Sequence, residues 1–179
     1  YLISLSFSAF TRFLSCGTVT STIIMKSKSL DRVIVLTSIA GILLSTYAMY
    51  IEMAVEAHPG YKALCDIAEY ASCSRVLSSE FSKGFGFLPE ESSLTVPNCI
   101  YGIIFYCIII FLASYDQLLV VRMLFLFVGT SLLMCVYLAY LLAFVLHDFC
   151  IVCVSTYIVN GLLTALIYKK MNALGAKQK

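Results

Sequence analysis

Apolar residues in this chain are grouped into four long stretches that contain no charged side chain. The stretches cover residues 33–51, 99–115, 123–146 and 149–168. A helix needs about 20 apolar residues to cross the hydrocarbon core of a bilayer, and each stretch comes close to that length. In lipid, the backbone polar groups of a segment must be satisfied internally, which excludes an open strand edge. The pattern therefore predicts four membrane-spanning helices.

The charges that flank the four stretches predict their orientation. Lys26, Lys28 and Arg32 lie shortly before the first stretch, and four lysines follow the last: Lys169, Lys170, Lys177 and Lys179. The connection over residues 55–98 has three basic residues and six acidic ones. Basic residues near the ends of membrane helices favour the cytoplasmic side. Both termini are therefore expected in the cytoplasm, with the 55–98 connection on the opposite face.

The same pattern divides the chain into three parts. Residues 1–31 are predicted as an N-terminal leader or cytoplasmic segment, because Arg12 and frequent Ser and Thr weaken the apolar stretch before Lys26. A signal segment, an interfacial helix, a disordered leader or a fifth span would each fit this stretch. Residues 32–170 are predicted as an all-α membrane domain, a four-helix bundle with its long loop over 55–98. Residues 171–179 are predicted as a cytoplasmic tail.

The composition supports a membrane protein and argues against other classes. Hydrophobic residues make up 61% of the chain and charged residues 12%, against roughly 25% charged residues in an ordinary soluble domain. A soluble protein of 179 residues could not bury that much apolar surface. The net charge of +2, with no basic run interleaved with aromatic residues, gives no indication of nucleic-acid binding.

The eight cysteines fall into three groups. Cys65 and Cys73 lie in a polar part of the long connection, where we expect both to face solvent. Cys150 and Cys153 form a Cys-x-x-Cys pair just after the junction of the last two stretches. The other four have apolar neighbours and are expected to be packing residues, because free Cys is readily buried: Cys16, Cys99, Cys107 and Cys135.

The predicted topology brings the two cysteine pairs to one face of the membrane. The third helix runs outward and the fourth returns, so the junction at His147 and Asp148 faces the same side as the long connection. At a helix N-terminus, the helix dipole and the free N–H groups favour a reactive thiolate. A redox pair is therefore predicted at Cys150 and Cys153. Two alternatives stay open, half of a zinc site completed by His147 and a loop cysteine, or two cysteines buried by chance.

The loop pair also has two interpretations. Cys65 and Cys73 could form a structural disulfide, because exposed cysteines on an oxidising face rarely stay as thiols. Alternatively, the pair could exchange with a soluble partner and pass electrons to Cys150 and Cys153 by thiolate attack on a disulfide.

A dithiol just inside the lipid boundary meets lipid-soluble substrates, and a quinone is a two-electron acceptor suited to that position. Such a substrate needs hydrogen-bonding groups in an otherwise apolar pocket. Tyr157 lies one helical turn after Cys153 on the same helix face, and Asn98 opens the second span from the same side. Phe85 and Phe87 lie in an apolar, glycine-rich segment that we predict to cap the site, with a flexible linker as the alternative.

Eight short motifs occur in order along roughly residues 32–170. They are YKALCD at 61–66, SCSRV at 72–76, GFG at 84–86, PN at 97–98, GIIFY at 102–106, VYLAY at 136–140, DFCIVC at 148–153 and TY at 156–157. Taken together, they resemble the animal branch of the vitamin K epoxide reductase family. The ordered set is highly specific, whereas the Cys-x-x-Cys pair alone is not.

The resemblance implies a four-helix bundle around a quinone pocket in the endoplasmic reticulum membrane, with a lumenal cap. It implies reduction of vitamin K 2,3-epoxide to the quinone, and of the quinone to the hydroquinone. Cys153 would attack the substrate and Cys150 would resolve the adduct. Cys65 and Cys73 would shuttle electrons from thioredoxin-like lumenal proteins. Vitamin K would be the substrate, with no tightly bound cofactor and no metal, and coumarin anticoagulants such as warfarin would inhibit.

For the pocket, the resemblance implies that Asn98 and Tyr157 hydrogen-bond the oxygens of the substrate, and that Phe105 and Leu77 contact it. Leu77 stands where the main reductase usually has an aromatic residue. Cys99 stands where a small hydroxyl residue is usual, which places an extra thiol next to Asn98. The main reductase and its close paralogue both stay open. So do two other functions, a quinone-linked thiol oxidase that makes disulfides in lumenal proteins and a four-span scaffold without enzymatic activity.

Overall fold

The computed structural model describes residues 27–177 except 59, 69–70 and 87–95. Five α-helices lie in this part of the chain: α1 (Ser27–Ala57), α2 (Cys73–Leu77), α3 (Asn98–Ala113), α4 (Leu118–Phe144) and α5 (Ile151–Lys177). Two 3-10 helices, Glu80–Ser82 and Gly84–Gly86, follow α2. The described residues form no strand beyond two isolated bridges, so the prediction of a helical protein is confirmed for them. Residues 1–26 of the predicted leader, and Phe87, lie outside the described residues.

Three of the described helices are apolar and long enough to cross a membrane: Lys28–Ala57, Leu118–Phe144 and Ile151–Ala176. They correspond to the first, third and fourth predicted spans. The remaining long helix, α3, is apolar too, but it has 16 residues. It therefore extends about 24 Å at 1.5 Å per residue, against a hydrocarbon core of about 30 Å. A fourth crossing by α3 stays a prediction.

The long helices pack around α1 and α5. α1 lies against α3 and α5, and α4 lies mainly against α5. Two glycines permit the close approach of α1 and α3. A Cβ atom on Gly41 would overlap the ring of Tyr106, and one on Gly102 would lie 2.7 Å from Ser45 Oγ. Small residues let helix backbones approach each other closely in a membrane, and here they leave room for Tyr106 to be fully buried.

Two hydrophobic clusters lie at different heights of the described bundle. One includes Ile34, near the start of α1, and Ile167, near the end of α5. The other includes Ile51, near the end of α1, together with Cys73 and Cys150. One member of each predicted cysteine pair is therefore buried in the same cluster, at the end of the bundle that bears the long connection.

A buried lysine holds the opposite end of the bundle together. Lys170 on α5 is 1% exposed, and its Nζ lies 2.7 Å from Asp31 Oδ1 on α1 and 3.2 Å from Asp116 Oδ1. The same Nζ donates a hydrogen bond of 2.6 Å to the carbonyl oxygen of Ala113, the last residue of α3. Because a buried charge needs paired partners, this ammonium group joins α1, α3 and α5.

Candidate active site

Both predicted cysteine pairs form disulfides in the structure. Cys65 is bonded to Cys73 with their Cα atoms 5.8 Å apart, and Cys150 to Cys153 with their Cα atoms 5.3 Å apart. Both separations lie within the range of ordinary disulfides. Metal ions bind the thiolate form of cysteine, so in this oxidised state neither pair is available to zinc.

Cys150 is the N-cap residue of α5, directly before its first helical residue, Ile151. Its carbonyl oxygen accepts a backbone hydrogen bond of 3.0 Å from Val154. Its Sγ accepts a hydrogen bond of 3.2 Å from the backbone N–H of Cys153, as an N-cap side chain does. Cys150 is fully buried, whereas Cys153 is partly exposed. The pair therefore lies at a helix start, as expected, and an N–H group of the first turn already points at a cysteine sulfur.

The turn before Cys150 depends on an unusual backbone conformation at His147. Its φ of 52° is uncommon for a residue other than glycine. His147 Nδ1 lies 3.1 Å from the carbonyl oxygen of Ala143, which belongs to the last turn of α4. This turn ends α4 and brings the chain back toward the bundle, so that α5 can begin at Ile151.

The loop that contains the other disulfide is organised by one carboxylate. Asp66 accepts two hydrogen bonds from Ser74, from N at 3.0 Å and from Oγ at 2.6 Å. It accepts two more of 3.0 Å, from Ser72 Oγ and from the backbone N–H of Ala63. Burial alone would raise the pKa of Asp66, but the four hydrogen bonds stabilise its charged form and hold the pKa below its ordinary value. They fix the chain between the two loop cysteines.

This folded loop places Cys73 differently from the sequence prediction. We expected both loop cysteines to face solvent, and for Cys73 this is wrong, since it is 0% exposed and packs in the cluster that contains Cys150. The reason is the short helix α2, which begins at Cys73. Ser72 is its N-cap residue, and the Ser72 hydroxyl accepts a hydrogen bond of 3.3 Å from Arg75 N. Helix spacing puts Cys73 and Val76 on one inward face. Cys65 stays partly exposed.

The cysteines expected to be packing residues behave in different ways. Cys99 and Cys135 are buried, as expected, and both also line a cavity. Cys107 is exposed on the surface of α3, which is not a packing position. A thiol on an apolar helix surface is compatible with a lipid environment, since Cys behaves as a small hydrophobe. Cys16 lies outside the described residues.

A cavity of about 260 Å³ lies beside Cys153. All five residues predicted to meet the substrate line it: Cys153, Tyr157, Asn98, Phe105 and Leu77. Most of its other walls are apolar side chains of the four long helices. Ligand pockets in proteins typically have about 300–1,000 Å³, so the volume suits a small ring system. Cys150 is fully buried and is not a wall residue.

Asn98 has a structural contact in addition to its place on the cavity wall. Its Nδ2 donates a hydrogen bond of 2.8 Å to the carbonyl oxygen of Phe81. This contact ties the start of α3 to the 3-10 helix Glu80–Ser82. Phe85 belongs to the next 3-10 helix, Gly84–Gly86. The role of Phe85 and Phe87 as a cap stays a prediction.

A hydrogen-bonded network that the sequence analysis missed also lines the cavity. Tyr106 OH donates to Asn160 Oδ1 at 2.9 Å, and Asn160 Nδ2 donates to Cys135 Sγ at 3.1 Å. Asn160 could have been found from the sequence. It lies three residues after Tyr157 on the same helix face, and a polar residue within a membrane helix commonly has a functional or structural partner.

A buried carboxyl group is the second feature that the sequence analysis missed. Glu52 directly follows the first apolar stretch, a position typical of a solvated boundary residue, yet it is 3% exposed and lines the cavity. Its Oε1 accepts a hydrogen bond of 3.4 Å from Ser82 Oγ, and its Oε2 accepts one of 3.6 Å from Cys99 Sγ. Its burial could not be read from the local pattern, because Glu at the end of an apolar stretch is usually a solvated boundary residue.

Comparison with known proteins agrees with the motifs. A sequence model of the vitamin K epoxide reductase family matches residues 32–168. Vitamin K epoxide reductase complex subunit 1 of Rattus norvegicus and that of Mus musculus are each 39% identical to this chain over 137 residues. Each alignment covers 74% of this chain and 85% of the relative. The region matched by the family model contains both disulfides and all described residues of the cavity wall. The chain belongs to the vitamin K epoxide reductase family.

Proposed function

We propose that this protein reduces vitamin K 2,3-epoxide to vitamin K quinone, and the quinone to the hydroquinone, with Cys150 and Cys153 as the redox pair. The observation that carries the proposal is the position of Cys153 on the wall of an apolar cavity that Asn98 and Tyr157 also line. Apolar walls suit a lipid-soluble ring, and the two polar side chains can hydrogen-bond its oxygens. The names of the two relatives support the choice of substrate.

The reaction starts from the reduced pair. The Cys153 thiolate attacks a ring carbon and forms a carbon–sulfur bond. In the epoxide this opens a carbon–oxygen bond, and the freed oxygen takes a proton and leaves as water once the electron pair returns to the ring; in the quinone a π electron pair moves onto a ring oxygen. The Cys150 thiolate then attacks Cys153 Sγ, so that the disulfide forms and the carbon–sulfur bond breaks, leaving its electron pair on the ring. The dithiol loses two electrons and two protons, and the substrate gains them. The epoxide becomes quinone and water, and the quinone becomes hydroquinone. The burial of Cys150 behind the cavity wall supports its assignment as the resolving thiol.

Cys65 and Cys73 are proposed to re-reduce this pair. Cys65 is partly exposed, so a thioredoxin-like lumenal protein can reach the loop disulfide from its side. Cys73 is buried in the cluster that contains Cys150. In the exchange, a loop thiolate attacks the Cys150–Cys153 disulfide, and the loop disulfide forms as that one breaks, so two electrons pass between the pairs.

We propose four crossings of the endoplasmic reticulum membrane with both termini in the cytoplasm. The basic residues before α1 and near the end of α5 support this orientation. Both disulfides lie at the other end of the bundle, and the lumen is an oxidising compartment that suits them. The segment with Phe85 and Phe87 is proposed to cap the cavity from the lumenal side. Coumarin anticoagulants, which are flat bicyclic rings with oxygen substituents, are proposed to compete for the same cavity.

The test is turnover by purified protein with dithiothreitol and vitamin K epoxide. We expect quinone and then hydroquinone to form, and Cys153→Ala to abolish both steps. Cys107→Ala is the matched control, since it removes an exposed thiol far from the redox pair in the sequence, and it should keep full activity. Full activity of Cys153→Ala would contradict the proposal. Quinone-dependent formation of disulfides in partner proteins, without epoxide reduction, would favour the thiol oxidase instead.

A second variant tests the relay. Cys65→Ala should keep the activity driven by dithiothreitol, because this small reductant can reduce Cys150 and Cys153 directly. The same variant should lose turnover driven by a reduced thioredoxin-like protein. An unchanged rate with the protein reductant would remove Cys65 and Cys73 from the electron path.

A further inference from the structure

Glu52 is the only carboxyl group among the described residues that line the cavity. An ionisable side chain that is 3% exposed in an apolar bundle is unfavourable unless its surroundings compensate for the lost hydration. Its two hydrogen bonds, of 3.4 Å from Ser82 Oγ and 3.6 Å from Cys99 Sγ, are long. The need to hold the loop therefore does not explain well why this position has a carboxyl group. We favour a role in which the carboxyl group acts on a molecule bound in the cavity.

Glu52 lies at the same end of the cavity as Asn98. Cys99, which contacts Glu52, is the residue that follows Asn98 on α3. Ser82 donates to Glu52, and the preceding residue, Phe81, accepts the hydrogen bond of Asn98. Glu52 and Asn98 therefore hold adjacent residues of one 3-10 helix. A substrate oxygen that is bound by Asn98 would therefore lie at the end of the cavity that Glu52 lines.

The ionisable groups around Glu52 lie on three elements. They are Glu56 one turn further along α1, Lys83 on the connection, and Cys99 on α3. Lys83 Nζ lies 2.6 Å from Glu56 Oε1, and both side chains are about half exposed. The closest described ion pair thus lies outside the cavity, whereas the direct contacts of Glu52 are a hydroxyl and a thiol group.

We propose that Glu52 is the proton donor to the ring oxygen held by Asn98, an inference that rests on the proposed function. Quinone reduction needs two electrons and two protons, and the dithiol supplies both electrons. One of its protons leaves when the Cys153 thiolate forms, and Cys150 gives the other to water as it attacks, while the second ring oxygen takes a proton from water. Glu52 gives its proton to the first ring oxygen as the carbon–sulfur bond breaks. It then takes a proton from water, which balances the one that Cys153 released.

A carboxyl group suits this step better than the other groups on the wall. Tyrosine and cysteine side chains are much weaker acids than a carboxylic acid. Buried carboxyl groups serve as general acids in enzymes that work near neutral pH, and they contribute about 10²- to 10⁴-fold in rate. Transfer of a proton as charge develops on the ring oxygen would give Glu52 an effect on kcat rather than on KM.

The decisive variant is Glu52→Gln, which keeps the size of the side chain and can accept the hydrogen bond from Ser82, but cannot give up a proton. We expect kcat for quinone reduction with dithiothreitol to fall at least about 100-fold, with little change in KM. A general acid must be protonated, so wild-type activity should decline on the alkaline side of its pH profile, and Glu52→Gln should lack that decline. Glu56→Gln is the same change one turn along α1, on an exposed side chain, and should keep the wild-type kcat and profile.

Each other outcome has a defined meaning. Wild-type kcat together with the alkaline decline in Glu52→Gln would overturn the proton-donor role. So would a Ser82→Ala variant that reproduces both effects of Glu52→Gln, because Glu52 would then act only by anchoring the loop. If Glu52→Gln does not form the Cys150–Cys153 disulfide, Glu52→Asp replaces it. That variant retains an acid and should keep the alkaline decline at a reduced kcat, and absence of the decline would overturn the role.

Failure of this inference can be told apart from failure of the proposed function. A wild-type protein that does not reduce quinone with dithiothreitol would reject the function, and the role of Glu52 with it. A wild-type protein that turns over normally beside an unaffected Glu52→Gln would reject the role of Glu52 alone.

Discussion

Arg75 Nη2 donates a hydrogen bond of 2.5 Å to Asp148 Oδ1, and this ion pair joins the helix that begins at Cys73 to the turn that precedes Cys150. The Arg75 side chain is 55% exposed and that of Asp148 12%. A pair with one hydrated partner contributes about 1 kcal/mol or less to stability. Its importance lies in position, because it constrains the loop disulfide relative to the disulfide at the cavity.

Loss of this ion pair should impair the relay more than the chemistry at the cavity. We expect Arg75→Gln to lower turnover driven by a thioredoxin-like protein several-fold, because α2 is then less well held against the turn before α5. Turnover driven by dithiothreitol should stay near the wild-type rate, since it does not require the loop cysteines. Lys62→Gln, which removes an exposed cation from the same connection, is the control. Equal losses with both reductants would show that Arg75 supports the fold rather than the relay.

The stability of the loop around Asp66 should fall as the pH is lowered. The folded-state pKa of Asp66 is lowered, so its charged form stabilises the loop at every pH above the ordinary value of about 3.9. That contribution is lost as the pH falls through the lower folded-state pKa. At pH 7, Asp66→Asn should therefore reduce the free energy of unfolding, by about 1 kcal/mol for a partly buried hydrogen-bonded group.

Thermal unfolding in detergent across a pH series measures this effect. The gap in Tm between wild type and Asp66→Asn should be constant from pH 7 to about pH 5. It should shrink below about pH 4, where the unfolded wild-type chain begins to bind a proton at Asp66, and should be lost as the pH falls through the lower folded-state pKa. Glu56→Gln, which removes an exposed acid, is the control, and its Tm at pH 7 should differ much less from that of the wild type. A gap that persists unchanged at the lowest pH would contradict the role of the Asp66 charge.

The stability of the bundle at the end opposite the disulfides should depend strongly on Lys170. Lys170→Met keeps the apolar part of the side chain but leaves Asp31, Asp116 and the Ala113 carbonyl oxygen without their shared cation. Removing one member of a buried ion pair typically costs about 3–5 kcal/mol. We expect the lower part of that range, because the Asp31 and Asp116 side chains are 23% and 57% exposed and can be hydrated.

Lys169→Met is the matched control for this change, since Lys169 is the exposed neighbour on the same helix. Thermal unfolding in detergent should give a clearly lower Tm for Lys170→Met and a value close to wild type for Lys169→Met. Equal Tm values for the two variants would contradict the proposed role of the ammonium group.

The sequence by itself determined the helical character of the chain and the positions of the residues that are predicted to react. Long uncharged stretches predict helices because backbone polar groups in lipid must be satisfied within the segment. The predicted stretches overlap the four long helices of the structure. Asn98 and Tyr157 were placed from local spacing and from the ends of the stretches, and both line the cavity together with Cys153. The start of α5 at the Cys-x-x-Cys pair followed from the same kind of local information.

Only the tertiary structure decided which side chains face one another. Cys73 looked exposed in its polar stretch, yet the capped turn around Asp66 and helix α2 bury it in the cluster that contains Cys150. Glu52 looked like a boundary residue, yet the packing of α1 against α3 and the 3-10 helix encloses it in the cavity. The contact of Asn160 with Tyr106 joins residues 54 positions apart. Such contacts arise when whole helices pack, and local patterns of apolar and polar residues do not specify which distant residues then meet.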